Sequence, residues 1–127
     1  MRLTRLPFHR QGIFNFEPMP EHFFCSQMVR VKPKDGTYPA ETVLLEEISP
    51  QAVVLSGGAP FQVGVELLVA ADGFAAQVTV SECEVREDTY VIRGDFGGGY
   101  RWSPQKWTPA HLYEVQDVPK TKAAGAL

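Results

Sequence analysis

The chain has little cysteine, no long apolar run and no excess of positive charge, and each absence excludes a class of protein. Its two cysteines can form at most one bridge, so a disulfide framework is excluded and a reducing, cytoplasmic compartment is expected. No apolar run approaches the roughly 18 residues of a membrane span, and no apolar stretch follows residues 1–7 as it would in a signal peptide. With 12 basic against 15 acidic residues, the chain is not expected to bind nucleic acid.

Local motifs for catalysis and metal binding are also missing. Cys25 and Cys83 stand alone, and His22 and His111 do not form a His-x-x-x-His pair, so the sequence predicts no zinc site. The Gly97–Gly99 run lacks the Lys-Ser/Thr and the helix start of a phosphate loop, and no local motif combines a nucleophile with a base and a third orienting group. We therefore predict no catalytic residue, no metal, no cofactor and no enzymatic activity.

Glycine, proline and strand-like alternation are abundant instead. The 11 glycines and 10 prolines favour short elements joined by turns. Apolar residues recur with a period of two, and the helical period of 3.6 is absent from most of the chain. The predicted strands are Met28–Lys32, Thr42–Ile48, Ala52–Ser56, Val63–Val69, Phe74–Arg86 and Tyr90–Phe96.

The fifth predicted strand changes phase partway along. Its apolar residues share one parity up to Val80, whereas Cys83 and Val85 have the other. A slip of this kind indicates a β-bulge and favours a barrel. The Asp72-Gly73 pair before this strand predicts a tight hairpin turn.

The ends of the chain differ from its middle. Ser103-Pro104 and Thr108-Pro109 resemble helix starts and predict a short C-terminal helical segment. We interpret residues 1–22 as an N-terminal arm, 23–117 as a β-barrel domain and 118–127 as a flexible tail. The arm is expected to pack its apolar residues against the barrel, namely Phe8, Ile13, Phe14 and Phe16.

Charge is divided unevenly along the chain. Residues 1–10 carry three arginines and no acid, whereas residues 41–95 carry ten acids against two arginines. The acidic middle disfavours anionic ligands there. The acids Glu82, Glu84, Glu87 and Asp88 alternate along a strand into a turn, which predicts a solvated barrel face.

The segment Glu47-Ile48-Ser49-Pro50-Gln51-Ala52 resembles the second signature of the PilZ family. That signature is Asp/Asn-x-Ser-x-x-Gly at a strand–turn–strand junction, and an apolar strand follows it here too. The closing Tyr100-Arg101-Trp102-Ser103-Pro104 also resembles the end of many PilZ domains before their C-terminal helix. The resemblance covers about residues 23–115. It implies an all-β fold, a small six-stranded antiparallel β-barrel with a short C-terminal helical segment.

The resemblance also implies a ligand, because many PilZ domains bind the bacterial second messenger cyclic di-GMP. They use this turn together with Arg-x-x-x-Arg just before the first strand. Here Glu47 replaces Asp/Asn, Ala52 replaces Gly, only Ser49 matches, and residues 16–23 contain no arginine. The sequence therefore predicts a degenerate site, and cyclic di-GMP is disfavoured as a ligand.

Two functions remain open at this point. The first is a PilZ-like domain in bacterial signalling that acts by protein–protein contact, with Arg101, Trp102 and Trp107 as interface candidates. The alternative for the two tryptophans is that, with Tyr100, Leu112 and Tyr113, they plug one end of the barrel. The second is a cyclic di-GMP sensor with a rearranged site of Arg5, Arg10, Glu47 and Ser49. The sequence identifies neither the protein partner nor the oligomeric state.

Overall fold

Six antiparallel strands close into a barrel, and a short seventh strand extends one edge. The computed structural model describes residues 22–114. The strands are β1 (Phe23–Pro33), β2 (Glu41–Ile48), β3 (Ala52–Gly57), β4 (Glu66–Ala71), β5 (Phe74–Arg86), β6 (Thr89–Phe96) and β7 (Tyr113–Glu114). Their order is β2-β3-β6-β5-β4-β1, and β1 pairs again with β2 to close the barrel. The predicted six-stranded antiparallel barrel is confirmed.

The turns and the bulge that shape the barrel lie where the sequence indicates them. Ala71 pairs with Phe74, so Asp72 and Gly73 form a two-residue hairpin loop. Gly73 has a φ of +83°, a conformation that glycine adopts without strain. The register between β5 and β6 shifts between Val80 and Glu82, which confirms the predicted bulge.

The barrel interior is apolar and continuous. It consists of inward residues from all six long strands, Phe61 from the loop between β3 and β4, and Trp102 from the segment after β6. A second buried apolar cluster, Ala52, Val54 and Val91, is separate from this core. These residues alternate with the inward Val53, Leu55 and Ile92, so they lie on the outer side of the sheet.

Two local predictions differ from the structure. Val63 is exposed and precedes β4, because a backbone hydrogen bond from Val65 to Gln62 forms a turn there. The described residues contain no helix: a hydrogen-bonded turn at residues 104–106 and a second turn at residues 110–111 stand in place of the predicted C-terminal segment. Beyond these turns, Tyr113–Glu114 extends as β7, because β1 offers it a free edge at Phe23 and Phe24.

The predicted arm and tail fall outside the described residues, except for His22. Within residues 22–114, no helix is long and apolar enough to cross a membrane.

Candidate functional site

The turn between β2 and β3 carries the residues that resemble the PilZ signature. Ser49 is fully buried there. Its hydroxyl oxygen accepts hydrogen bonds from the backbone N–H groups of Gln51, at 3.2 Å, and Ala52, at 3.1 Å. The Ser49 N–H also donates to the Ala52 carbonyl at 2.9 Å. Because a short serine side chain readily bonds to nearby backbone, Ser49 here stabilises the turn.

Glu47 lies on the outer side of the barrel at the end of β2, where it pairs with Val54. Its carboxylate lies 3.7 Å from the His22 imidazole. Burial, and to a lesser degree the negative charge of Glu46, raises the pKa of Glu47 to about 7, whereas Arg93 acts in the opposite direction. Glu47 therefore keeps its proton to a higher pH than an exposed glutamate does.

Ala52 stands where the PilZ signature has glycine. Its side chain is completely buried, and it packs with Val54 and Val91. Glycine at such a position allows backbone to approach a ligand closely. The methyl group of Ala52 occupies that space, so this feature of the signature is absent.

Arg5 and Arg10, the predicted cationic partners of Glu47 and Ser49, lie outside the described residues. The candidate ligand site is therefore described only on its turn side. That side offers a carboxylate, a buried hydroxyl and a buried methyl group.

The outer side of β3 and β6 forms one acidic surface with its neighbours on β2 and β5. We call this surface the acidic face. Its members are Glu46 and Glu47 of β2, Ala52, Val54 and Ser56 of β3, Val91, Arg93 and Asp95 of β6, and Glu82 and Glu84 of β5. Two contacts link some of them: Ser56 of β3 donates a 2.6 Å hydrogen bond to Glu46 of β2, and within β6 the Arg93 guanidinium lies 3.3 Å from the Asp95 carboxylate.

The predicted solvated face along β5 requires a correction at Glu84. This side chain is only 9% exposed, whereas Val85, predicted to face inward, is 47% exposed. After the bulge, Glu84 pairs with Val91 and shares its side of the sheet. Val85 pairs with Tyr90 near the hairpin end, where the strands extend past the barrel interior.

Of the three interface candidates, Trp102 belongs to the core. It is 1% exposed, and its ring meets Phe23 edge to face at a centroid distance of 5.4 Å. Its indole N–H donates to the Trp107 carbonyl at 2.9 Å, and its backbone N–H donates to Pro50 at 3.1 Å. Trp102 thus plugs the barrel beneath the signature turn and offers no surface to a partner.

Trp107 and Arg101 lie closer to solvent. Trp107 is partly buried: its ring stacks on Phe74 at 4.2 Å, and its N–H donates to the Asp72 carbonyl at 3.1 Å. Arg101 is exposed, and the neighbouring Lys106 ammonium donates to its carbonyl. The same ammonium lies 4.8 Å from the Tyr100 ring centroid, so cations and aromatic rings share this corner of the barrel.

Both cysteines are free thiols. Cys25 is buried and donates to the Leu45 carbonyl, and burial raises its pKa to about 12. A thiol with so high a pKa is a weak nucleophile. Among residues 22–114, no three His, Cys, Asp or Glu side chains group together as metal ligands.

A comparison with solved structures finds one similar fold. The chain matches the structure of the Bacillus subtilis inhibitor of motility MotI/DgrA with a TM-score of 0.50 and 10% sequence identity. The match covers 72% of this chain and 47% of that one, so the chain spans about half the length of the protein it matches. That neighbour is a PilZ-domain protein, and the likeness shows that this chain has a PilZ-like barrel fold. No family model and no curated protein matches the sequence.

The sequence analysis did not predict that the acidic face contains buried side chains, which are Glu47, Ala52, Val54, Ser56, Glu84 and Val91. One signal for it exists: β3 reads Ala-Val-Val-Leu without alternation, whereas β1 alternates as Met-Val-Arg-Val-Lys. A continuous apolar strand is typical of a strand covered on both sides. The burial of Glu47 and Glu84 has no comparable signal, because isolated carboxylates are usually exposed.

Proposed function

We propose that this chain is a cytoplasmic PilZ-like signalling domain that acts by protein–protein contact and does not bind cyclic di-GMP. The observation that carries the proposal is the geometry of the signature turn. Ser49 is buried and bonded to its own turn, Ala52 fills the glycine space, and Glu47 supplies a carboxylate. The signature acts together with two arginines before the first strand, and residues 16–23 supply no arginine to pair with the phosphates of an anionic dinucleotide.

The partner surface we propose is the corner formed by Arg101, Lys106 and Trp107. Arginine and tryptophan are the residue types that most often dominate protein interfaces, and both are present here. Arg101 and Lys106 are exposed, whereas Trp107 is anchored on Phe74. Such anchoring would hold the corner in one shape before a partner binds, which reduces the entropy lost on association.

Calorimetric titration of the full chain with cyclic di-GMP tests the ligand part of the proposal. We expect no heat of binding up to high micromolar ligand. Binding at micromolar affinity that disappears in an Arg5→Ala and Arg10→Ala variant would instead establish the sensor function. The double variant Glu47→Asn and Ala52→Gly rebuilds the signature, and we expect it to remain inactive because residues 16–23 supply no arginine.

Site-specific photo-cross-linking in bacterial cells tests the partner surface. A photoreactive side chain replacing Arg101 is expected to trap a partner protein, whereas one replacing Glu66 on β4 serves as the matched control. Substituting Lys106→Glu in the first variant should abolish the cross-link without changing the melting temperature. Equal cross-linking from both positions would contradict this surface.

A further inference from the structure

The acidic face contains outward side chains that are buried. Ala52, Val54 and Val91 are each at most 1% exposed, although they point away from the barrel interior. On the opposite side of the barrel, the outward side chains Met28 and Leu68 are 52% and 37% exposed. Outward residues of a single-layered barrel contact water unless another segment lies over them.

The described strands do not account for this burial. The strands that contact β3 extensively are β2 and β6, which lie beside it in the sheet and not over it. The segment after β6 runs to Trp107, which stacks on Phe74 and bonds to Asp72 at the β4–β5 hairpin. The described strands thus leave the burial of this cluster unexplained, and the candidate covering segments outside residues 22–114 are residues 1–21 and residues 115–127.

Chain direction favours the N-terminal residues. The described structure begins at His22, whose imidazole lies 3.7 Å from Glu47 on the acidic face. The chain leaves through β7, which pairs with Phe23 and Phe24 on the edge of β1 opposite β2. Twenty-one residues can extend to roughly 70 Å, whereas the distance across β2, β3, β6 and β5 is only about 15 Å.

Apolar content favours the same segment, and the placement of its arginines is compatible with this face. Residues 1–21 contain Arg2, Arg5 and Arg10 against Glu17 and Glu21, and all three arginines fall within residues 1–10, where they complement the carboxylates of the acidic face. The aromatic and aliphatic side chains between residues 8 and 16 provide apolar area for the Ala52, Val54 and Val91 cluster. Residues 115–127 offer two lysines, one aspartate and mostly small side chains.

We propose that residues 1–21 dock on the acidic face of the same chain, with their arginines beside its carboxylates and their apolar side chains on the cluster around Val54. The surface that carries the signature turn is then occupied by the protein's own N-terminal segment. This inference is independent of whether the chain uses Arg101 and its neighbours to bind a partner.

Paramagnetic relaxation measurements on the full chain test this docking. A nitroxide is attached at Gln11→Cys in a Cys83→Ala background, where the buried Cys25 thiol remains unreactive. We expect loss of the backbone amide signals of β3 and β6, and retention of those of β1 and β4 around Arg30 and Leu68. A uniform loss of amide signals over the whole barrel, or a loss centred on β1 and β4, would overturn the proposal.

A matched label and a mixed sample separate the other occupants. The same nitroxide at Thr121→Cys should leave the amide signals of β3 and β6 intact. Loss of those signals with this label would show that the C-terminal segment, and not residues 1–21, covers the acidic face. A second sample mixes ¹⁵N protein that carries no nitroxide with ¹⁴N protein that carries it, and all amide signals should stay intact. Signal loss in this sample would mean that the segment docks on a second copy of the chain. Replacing Arg2, Arg5 and Arg10 by Gln should restore the β3 and β6 signals, and an unchanged pattern would refute the charge pairing.

Discussion

The two outer sides of this barrel are built from the same kind of strand but differ in what they present. We call the outward side of β1 and β4 the open face. There, exposed and buried residues alternate from Met28 to Pro33 and along β4 to Ala70, and a groove of about 510 Å³ lies between Arg30, Lys32, Leu68 and Ala75. On the acidic face every residue of β3 before Gly57 is buried, and the carboxylates of Glu47 and Glu84 are buried with it.

The difference shows that one barrel can have a solvated side, where charged side chains stay hydrated, and a covered side, where burial disfavours the charged form of a carboxyl group. On the open face, charges such as Arg30 remain in water, where they cost little. On the acidic face, burial raises the pKa of Glu47 towards neutrality. The following substitutions test the comparison in matched pairs, one residue from each side.

The largest expected effect lies beneath the acidic face, at the plug. Trp102→Ala should lower the free energy of unfolding by about 3–5 kcal/mol, because it empties a fully buried site and removes the hydrogen bond from the indole N–H to the Trp107 carbonyl. Trp107→Ala, beside the β4–β5 hairpin and distant from the acidic face, should cost about half as much since its ring is partly exposed. Urea unfolding measures both. Equal costs would contradict the assignment of Trp102 to the core.

The next largest difference is expected when a charged side chain is introduced into each face and the losses in free energy of unfolding are compared. Val54→Asp should cost about 3 kcal/mol or more, because it places a carboxylate in a buried apolar cluster beside Glu47. Leu68→Asp on β4 should cost no more than about 1 kcal/mol, since that side chain already contacts water. Thermal and urea unfolding compare the pair. A mild effect at Val54 would mean that this face is open in solution.

The pH dependence of stability should differ between carboxyls on the two faces. Folding raises the pKa of Glu47 from 4.5 to about 7, so the folded state binds this proton more tightly than the unfolded state. The contribution of Glu47 to stability therefore falls as the pH rises through this interval. Glu47→Gln should raise the free energy of unfolding by about 1–3 kcal/mol at pH 8 and change it little at pH 4.

The exposed Glu66 on β4 provides the control for this pH effect. Urea unfolding at both pH values is measured for Glu47→Gln and Glu66→Gln. A stabilisation at pH 8 of the same size in both variants would show that burial of Glu47 is not its cause.

The smallest expected difference concerns the arginines. Arg93→Gln should cost about 1 kcal/mol, because Arg93 lies 3.3 Å from Asp95 and its charge opposes the rise in the pKa of Glu47. Arg30→Gln on the open face should change stability by less than about 0.5 kcal/mol. Proton titration of Glu47 by NMR provides a second measurement: its pKa should rise further in Arg93→Gln and stay the same in Arg30→Gln.

Much of the barrel could be predicted from sequence, because its signals are local. Alternation in β1, the Asp72-Gly73 turn and the phase change near Ser81 each depend on residues adjacent in the chain. The structure of the C-terminal segment was harder to predict. Its Ser-Pro and Thr-Pro pairs resemble helix starts, and this local signal contains no information about whether a free strand edge lies nearby. That edge, at Phe23 and Phe24, comes from the other end of the chain and takes up Tyr113–Glu114 as β7.

The candidate site could be predicted only in part. The position of the signature turn and the replacements at Glu47 and Ala52 are visible in the sequence. That Ser49 bonds to its own turn could not be predicted, because the same serine could equally face a ligand. The choice between core and interface for Trp102 likewise depended on Phe23, which lies 79 residues away in the chain.

The sequence by itself determined the strand composition of this protein, its turns and the departures of its signature from the PilZ pattern, since these follow from residue type and short-range spacing. Only the tertiary structure decided which outer side of the barrel is covered and which meets solvent. Burial, and with it the raised pKa of Glu47, arises when strands distant in the chain bring carboxylates, apolar residues and Arg93 onto one surface. No local sequence pattern predicts that these residues lie together on one surface.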